Sequence, residues 1–214
     1  MIRVFLVDDH DMVRFGFRSF LSNQTDIDVV GDAASAEEAL TQLKRQPVDV
    51  LVCDLHLPGM SGLEVTERLV RSESPTRVIV VSAQLDGPLP KRVMDAGAAG
   101  YLSKHCGPDE LVRAVRDVSR GKRYLAAEIA QQWALNGGGG GSPFDELTAR
   151  EMEVALMLMK GERSVEIAKR LNLSEKTVST HKTRLLEKLK VKDVVGIAHL
   201  ARLHGVIDAN GAGG

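Results

Sequence analysis

Five residues in the first half of the chain carry chemistry together that none carries alone: Asp8 and Asp9, Asp54, Ser82 and Lys104. Each stands where a short apolar run stops. Asp8 and Asp9 follow Ile2, Val4, Phe5, Leu6 and Val7; Asp54 follows Val48, Val50, Leu51, Val52 and Cys53; Ser82 follows the run from Val78 to Val81; and Lys104 comes just after Tyr101, Leu102 and Ser103. Three carboxylates brought to one place repel one another and call for a hard divalent cation, most naturally Mg2+ with oxygen ligands and retained waters. The Lys104 ammonium pairs with Asp54 or with an anion placed on it, and the Ser82 hydroxyl donates to that anion. The His56 side chain is not expected among the ligands, because Mg2+ prefers oxygen. Singly, each residue has a plainer reading: an Asp near the N-terminus caps a helix, Ser82 closes a strand, and Lys104 is a surface charge. Their weight comes from falling together on one edge.

That edge requires a parallel sheet. The run before Asp54 is apolar at both parities, as in a strand buried on both faces, and Pro58, Gly59 and Gly62 then hold a loop open before the next helix. Val29 and Val30 lie in another strand. Helical spacing appears in Met12, Val13, Phe15, Phe17, Phe20 and Leu21; in Ala36, Ala39, Leu40 and Leu43, closed by Pro47; and in Leu63, Val65 and Leu69. A helix from about Pro90 to Ala96 stops at Gly97, and Leu111, Val112, Val115 and Val118 give a last one, closed by Gly121. Five strands alternating with five helices predict a doubly wound five-stranded parallel α/β domain over residues 1–120. In such a sheet the carboxyl ends of the strands form the ligand edge.

At 214 residues the chain is comfortable for two domains, and 43% hydrophobic with 27% charged residues is ordinary globular composition. The net charge of −1 hides an asymmetry. Residues 1–136 carry 16 Lys and Arg against 19 Asp and Glu, whereas residues 144–207 carry 12 against 9. A basic second half suggests an anionic partner for it. Cys53 and Cys106 are too few for a disulfide framework and are not spaced for zinc. The apolar run in MIRVFLVDDH is too short for a signal peptide and no stretch reaches membrane-span length, so the chain reads as cytoplasmic, without a membrane partner.

Residues 121–143 read as a linker: Ile129, Trp133 and Leu135 suggest a short helix, and Gly137 to Pro143 a Gly-rich tether spanning about 13–16 Å as coil. Beyond it, Thr148 with Glu151 three residues later forms a capping box before Met152, Ala155, Leu156 and Met159. Val165, Ile167, Ala168 and Leu171 make a short helix, and Asn172-Leu173-Ser174 a turn. Val178, Leu185, Leu186 and Leu189 stripe a longer helix, and Val194, Ile197, Ala198 and Leu200 a fourth. A short helix, a tight turn and a longer basic helix predict an all-α, four-helix helix-turn-helix domain over 144–207. Residues 174–192 hold six basic side chains against two acidic ones. Ser179, Thr180 and Thr183 project opposite the buried stripe and are assigned to base edges, and Thr177 is placed with them among the DNA-binding residues. Lys176, Lys182, Arg184 and Lys188 are assigned to phosphates. His181 reads as packed beside the apolar stripe. The tail, 208–214, reads as disordered.

Taken in order, Asp8-Asp9, Asp54 with Pro58 and Gly62, Ser82-Ala83, and Tyr101 three before Lys104 resemble a two-component receiver domain. LTAREMEV and SVEIAKRLNLSEKTVSTHKTRLLEKLKV resemble the LuxR-type DNA-binding domain. The whole chain is similar to response regulators of the NarL/FixJ class, of GacA-like type. The resemblance implies that Asp54 is the phosphoacceptor for a sensor histidine kinase. Asp8, Asp9, Asp54 and the backbone carbonyl of His56 would hold Mg2+, Ser82 and Lys104 would bind the phosphoryl oxygens, and Tyr101 would turn inward with Ser82 as the switch. It further implies a homodimer on DNA, the third helix entering the major groove and the fourth joining the copies. One departure stands out: His105 follows Lys104 where many receivers have Pro, leaving the geometry of that peptide open.

Two competing readings bear on function. A phosphatase with an aspartyl-phosphate intermediate wants a second Asp two residues after the nucleophile, and His56 stands there. A constitutive DNA-binding protein with a silent receiver is opposed by the intact acidic set. The chain is therefore expected to be a transcription factor rather than an enzyme.

Overall fold

The computed structural model describes residues 1–83, 85, 89–135, 142–204 and 206, which fall into two compact units, the first running in the main to Ala130 and the second following it in the chain. In the first, strands β1 (Ile2–Val7), β2 (Ile27–Ala33), β3 (Val50–Asp54), β4 (Arg77–Ser82), β5 (Gly100–Ser103) and β6 (Tyr124–Leu125) form one parallel sheet in the order β2-β1-β3-β4-β5-β6. Helices α1 (Asp11–Ser22), α2 (Ala36–Arg45), α3 (Gly62–Arg71), α4 (Leu89–Asp95) and α5 (Pro108–Ser119) alternate with the first five strands.

Strand parity decides which helix each side chain meets. Val4, Leu6, Val50, Val52, Ile79, Val81 and Leu102 pack with Phe17 and Leu21 of α1 and with Leu111, Val112, Val115 and Val118 of α5. The other parity, Phe5, Val7, Leu51, Cys53, Val78, Val80 and Tyr101, is buried as well, on the face that α2 and α3 cover with Ala39, Leu43, Leu63 and Leu69. Valine and isoleucine dominate the central strands because branched side chains fit a pleat packed on both sides. Each contributes roughly 1.5–3 kcal/mol on burial, so the sheet that carries the site is rigid.

The sheet has six strands, not the five expected. Tyr124 and Leu125 pair with Gly100 and Tyr101. Two residues are too few to show an alternation, and neither is fully buried, so periodicity does not reveal them. The segment assigned to the linker therefore opens with sheet structure, followed by helix α6 (Ala127–Leu135), which carries the expected Ile129, Trp133 and Leu135. The glycine run 137–141 and the tail 208–214 lie outside the described residues.

The second unit holds a 3-10 turn (Pro143–Glu146) and four helices, α7 (Ala149–Met159), α8 (Ser164–Arg170), α9 (Glu175–Leu189) and α10 (Val194–Leu203). The expected capping box is complete: the Glu151 amide donates to Thr148 Oγ1 at 3.2 Å and the Thr148 amide to Glu151 Oε2 at 2.7 Å. Ser174 caps α9 by accepting from the Thr177 amide, and Asp193 caps α10 through the Gly196 amide. Val178, Leu185 and Leu189 are buried, so α9 packs with the face the spacing predicted.

Candidate functional site: a strand-edge acidic cluster and a polar helix face

Parallel register brings the expected residues to one sheet edge. Asp54 ends β3 opposite Val81, Ser82 ends β4 opposite Ser103, and the Lys104 amide donates to the Ser82 carbonyl at 2.8 Å. Asp8, Asp54 and Ser82 are almost wholly buried, while Asp9 remains exposed. The loop after β3 holds the acidic edge closely. Its Gly62 amide donates to the Leu55 carbonyl at 3.0 Å, and a Cβ at Gly62 would stand 2.3 Å from the Asp54 carbonyl oxygen. No side chain fits there, so glycine opens α3 because the strand end lies against it.

The charges within this edge are tightly paired. Lys104 Nζ lies 2.7 Å from Asp54 Oδ2 and 2.9 Å from Asp8 Oδ2. The His56 amide donates to Asp54 Oδ1 at 3.1 Å. Asp8 Oδ2 is buried as well, with the Lys104 ammonium against it. Burial pushes the Asp54 carboxyl up to about 6, and the charge of Asp8 acts in the same sense. The Lys104 hydrogen bond and charge and the His56 amide act against that rise. Burial opposes the charged form of Lys104, yet Asp54 and Asp8 together raise its pKa above the ordinary lysine value.

Carboxylate oxygens of Asp8, Asp9 and Asp54 lie within 4.8 Å of one another and of a ring nitrogen of His10. The oxygen donors of three clustered carboxylates fit a hard divalent cation. His10, between the acidic pair and α1, places Nδ1 2.7 Å from Asp9 Oδ1 and 3.2 Å from Asp8 Oδ1. Its only signal in sequence is adjacency to the acidic pair at a strand-to-helix turn. Tyr101 is fully buried on β5. The peptide between Lys104 and His105 is trans, as are all others described.

On α9 the outward residues are Lys176, Ser179, Thr180, Thr183 and Arg184, all exposed; Lys182 and His181 are half-buried. Thr180 Oγ1 donates to the Lys176 carbonyl at 2.9 Å and Thr183 Oγ1 to the Ser179 carbonyl at 3.1 Å. Each hydroxyl thus spends its proton on its own helix and presents lone pairs and a methyl group outward. Thr177 is half-buried, its hydroxyl 2.8 Å from Ser174 Oγ in the cap. One assignment is corrected. Lys188 Nζ donates to Glu151 Oε2 at 2.7 Å and to the Glu146 carbonyl at 3.1 Å, so it ties α9 to α7 and the 3-10 turn rather than pointing to a phosphate. Burial opposes it, but Lys188 and Thr148 together hold the Glu151 carboxyl below its ordinary range.

A six-stranded parallel α/β unit with an acidic carboxyl edge, followed by a helix-turn-helix unit, defines a response regulator. Residues 4–116 match the response regulator receiver domain, and residues 145–201 match the bacterial regulatory proteins of the luxR family. The chain is 43% identical over 212 residues to the response regulator UvrY of Escherichia coli (strain K12), covering 98% of this chain and 97% of that one. It is 42% identical over 212 residues to the response regulator GacA of Pseudomonas aeruginosa, covering 98% and 99%. Among solved structures, RcsB from Salmonella enterica serovar Typhimurium, bound to promoter rprA in the presence of the phosphomimetic BeF3-, superposes with a TM-score of 0.67 at 25% identity over 93% of this chain and 97% of that one. Another structure holds two RcsB dimers bound to two parallel DNAs. The chain belongs to the two-component response regulators of the NarL/FixJ type, which pair a receiver with a LuxR-type DNA-binding domain. This family comprises transcription regulators, not enzymes, and no described helix is long and apolar enough to cross a membrane.

Proposed function

We propose that Asp54 accepts a phosphoryl group from the phosphohistidine of a sensor kinase, and that the phosphorylated chain binds DNA as a homodimer in the cytoplasm. The observation that carries this reading is the position of Lys104, its ammonium bridging two buried carboxylates at 2.7 and 2.9 Å. Asp54 Oδ2 is the attacking atom, and Lys104, already against it, follows the incoming oxygens and balances their charge. Ser82, at the next strand end, donates to the same oxygens. Asp8, Asp9, Asp54 and the His56 carbonyl would hold Mg2+, which would supply positive charge against the phosphoryl oxygens. Tyr101, buried beside this edge, takes the switch role with Ser82.

On the DNA side, Ser179, Thr180 and Thr183 meet base edges, while Lys176, Lys182 and Arg184 meet phosphates, with Thr177 flanking them at the start of α9. The dimers and the promoter complex of RcsB support this reading, as does the exposure of Lys176, Ser179, Thr180, Thr183 and Arg184. Phosphorylation then acts by raising receiver dimerisation, which holds two DNA-binding domains over an inverted repeat with half-sites about one helical turn apart.

Incubating the full chain with acetyl phosphate and Mg2+ and weighing it intact tests the phosphoacceptor. The expected result is an adduct of about 80 Da, one phosphoryl mass, absent from Asp54→Asn. A stable adduct on that variant overturns the assignment.

A further inference from the structure

We infer that His10 is a nitrogen ligand of the acidic edge, so that this receiver discriminates among divalent cations and favours first-row transition ions such as Mn2+ and Ni2+ over Mg2+ more strongly than oxygen donors alone would allow. The inference rests on the reading of Asp8, Asp9 and Asp54 as a metal site and adds a residue to it.

The argument begins with what His10 does not do. It occupies the N-cap position of α1, in extended backbone at φ −97°, where Ser, Thr, Asp and Asn are preferred because their side chains accept from the first free amides. The His10 side chain makes no cap hydrogen bond. Its ring is turned to the acidic pair instead, with Nδ1 2.7 Å from Asp9 Oδ1 and 3.2 Å from Asp8 Oδ1. The His10 amide donates to the same Asp8 Oδ1 at 2.8 Å, so backbone and ring both close around one carboxylate.

The donor set around the ring fits the same role. Asp8 Oδ2, buried under the edge, faces the Lys104 ammonium at 2.9 Å. The candidate donor atoms of Asp8, Asp9, His10 and Asp54 all fall within 4.8 Å of one another. Two donors each about 2.1 Å from a common ion are at most about 4.2 Å apart, so only a small closure separates this arrangement from ligation. Asp9 and His10 are the partners able to make it: the His10 side chain is 65% exposed and that of Asp9 31%, whereas Asp8 and Asp54 are fixed by burial.

Donor chemistry then sets the preference. Mg2+ takes oxygen and gives up its waters reluctantly, so it gains little from an imidazole. Affinity of a mixed nitrogen and oxygen site rises along the first transition series from Mn2+ to Ni2+. His10→Asn removes the nitrogen and leaves an oxygen at the same position, which separates the two classes of ion.

The test uses the full-length protein, titrated calorimetrically with Mg2+, Mn2+ and Ni2+, together with electron spin-echo modulation of bound Mn2+. We expect the wild type to show a nitrogen-14 coupling to Mn2+ that persists in His56→Asn and disappears in His10→Asn. The same variant should lose at least about tenfold in Mn2+ and Ni2+ affinity, the loss that even outer-shell partners of a metal typically cause, while Mg2+ affinity stays within about twofold. Absence of the coupling in the wild type, or equal losses for all three ions, overturns the assignment of His10. If none of the ions binds the wild-type chain, the reading of the acidic edge as a metal site falls with it.

Discussion

Two lysines mark the difference between the functional surfaces. Lys104 lies at a strand end with its ammonium against two buried carboxylates, whereas Lys182 sits half-exposed on a helix face. At the sheet edge, topology decides everything: once strands run parallel, whatever follows β1, β3, β4 and β5 must meet. On α9, spacing decides only which way a side chain leaves the helix, and what it meets depends on neighbours distant in sequence. Lys188 shows the difference. It lies six positions beyond Lys182 in the same basic run, yet Glu151 and Glu146, contributed by α7 and the turn before it, hold its ammonium inside the domain.

The comparison breaks most visibly at Lys104. Lys104→Ala leaves Asp8 and Asp54 buried together without a cation, and breaking a buried pair in this way costs about 3–5 kcal/mol. Urea unfolding in EDTA should show that loss, and added Mg2+ should restore much of it. A loss that ignores Mg2+ would mean the lysine is structural alone. Asp54→Asn should act in the opposite direction in metal-free protein. The folded-state pKa of Asp54 is raised from 3.8 to about 6. Its contribution is therefore fully favourable below about pH 4 and is lost as the pH rises through about 6. At pH 7.5 the variant should be more stable by on the order of 1–3 kcal/mol, the gain fading towards pH 4. Melting curves across that range would settle the sign.

Smaller effects belong to the helix face. Thr183→Ala should change the preferred base at one position of each half-site by about 1–3 kcal/mol, whereas Lys182→Ala should weaken all sequences alike and lower the salt slope by about one unit. Selection from random DNA at two salt concentrations distinguishes them, and a reversed outcome exchanges the two assignments. The smallest change is expected at Lys188. Its removal should cost about 1 kcal/mol of stability in the DNA-binding domain, with the salt slope of DNA binding unaltered. A slope reduced by one would return Lys188 to the phosphate set.

Much of the first unit was legible because its signals are long-range in space but local in sequence. An apolar run followed by Asp, Ser or Lys is visible in a few residues, and parallel alternation does the rest. The caps at Thr148, Ser174 and Asp193 were equally local, the first read directly from spacing. Strand β6 escaped because two half-buried residues carry no period. The Lys188 pairing escaped because its partner lies 37 positions away in the chain. His10 escaped for a third reason: an N-cap position predicts helper residues for a helix, and a histidine there advertises nothing until the direction of its ring is known.

Strand β6 also has a meaning for where this receiver ends. Its two residues, with the amide of Ala126, close the open side of β5: the Tyr124 amide donates to the Ala99 carbonyl at 2.9 Å and the Ala126 amide to the Tyr101 carbonyl at 3.2 Å. A fragment cut after α5 would leave those carbonyls as a bare row at a sheet margin, the kind of template on which another chain adds itself and proteins aggregate. It would also release one side of the backbone at Tyr101, which β4 alone would then hold. The segment by which the chain leaves its first domain is thus also the guard on that domain's edge, and an autonomous receiver runs at least to Ala126.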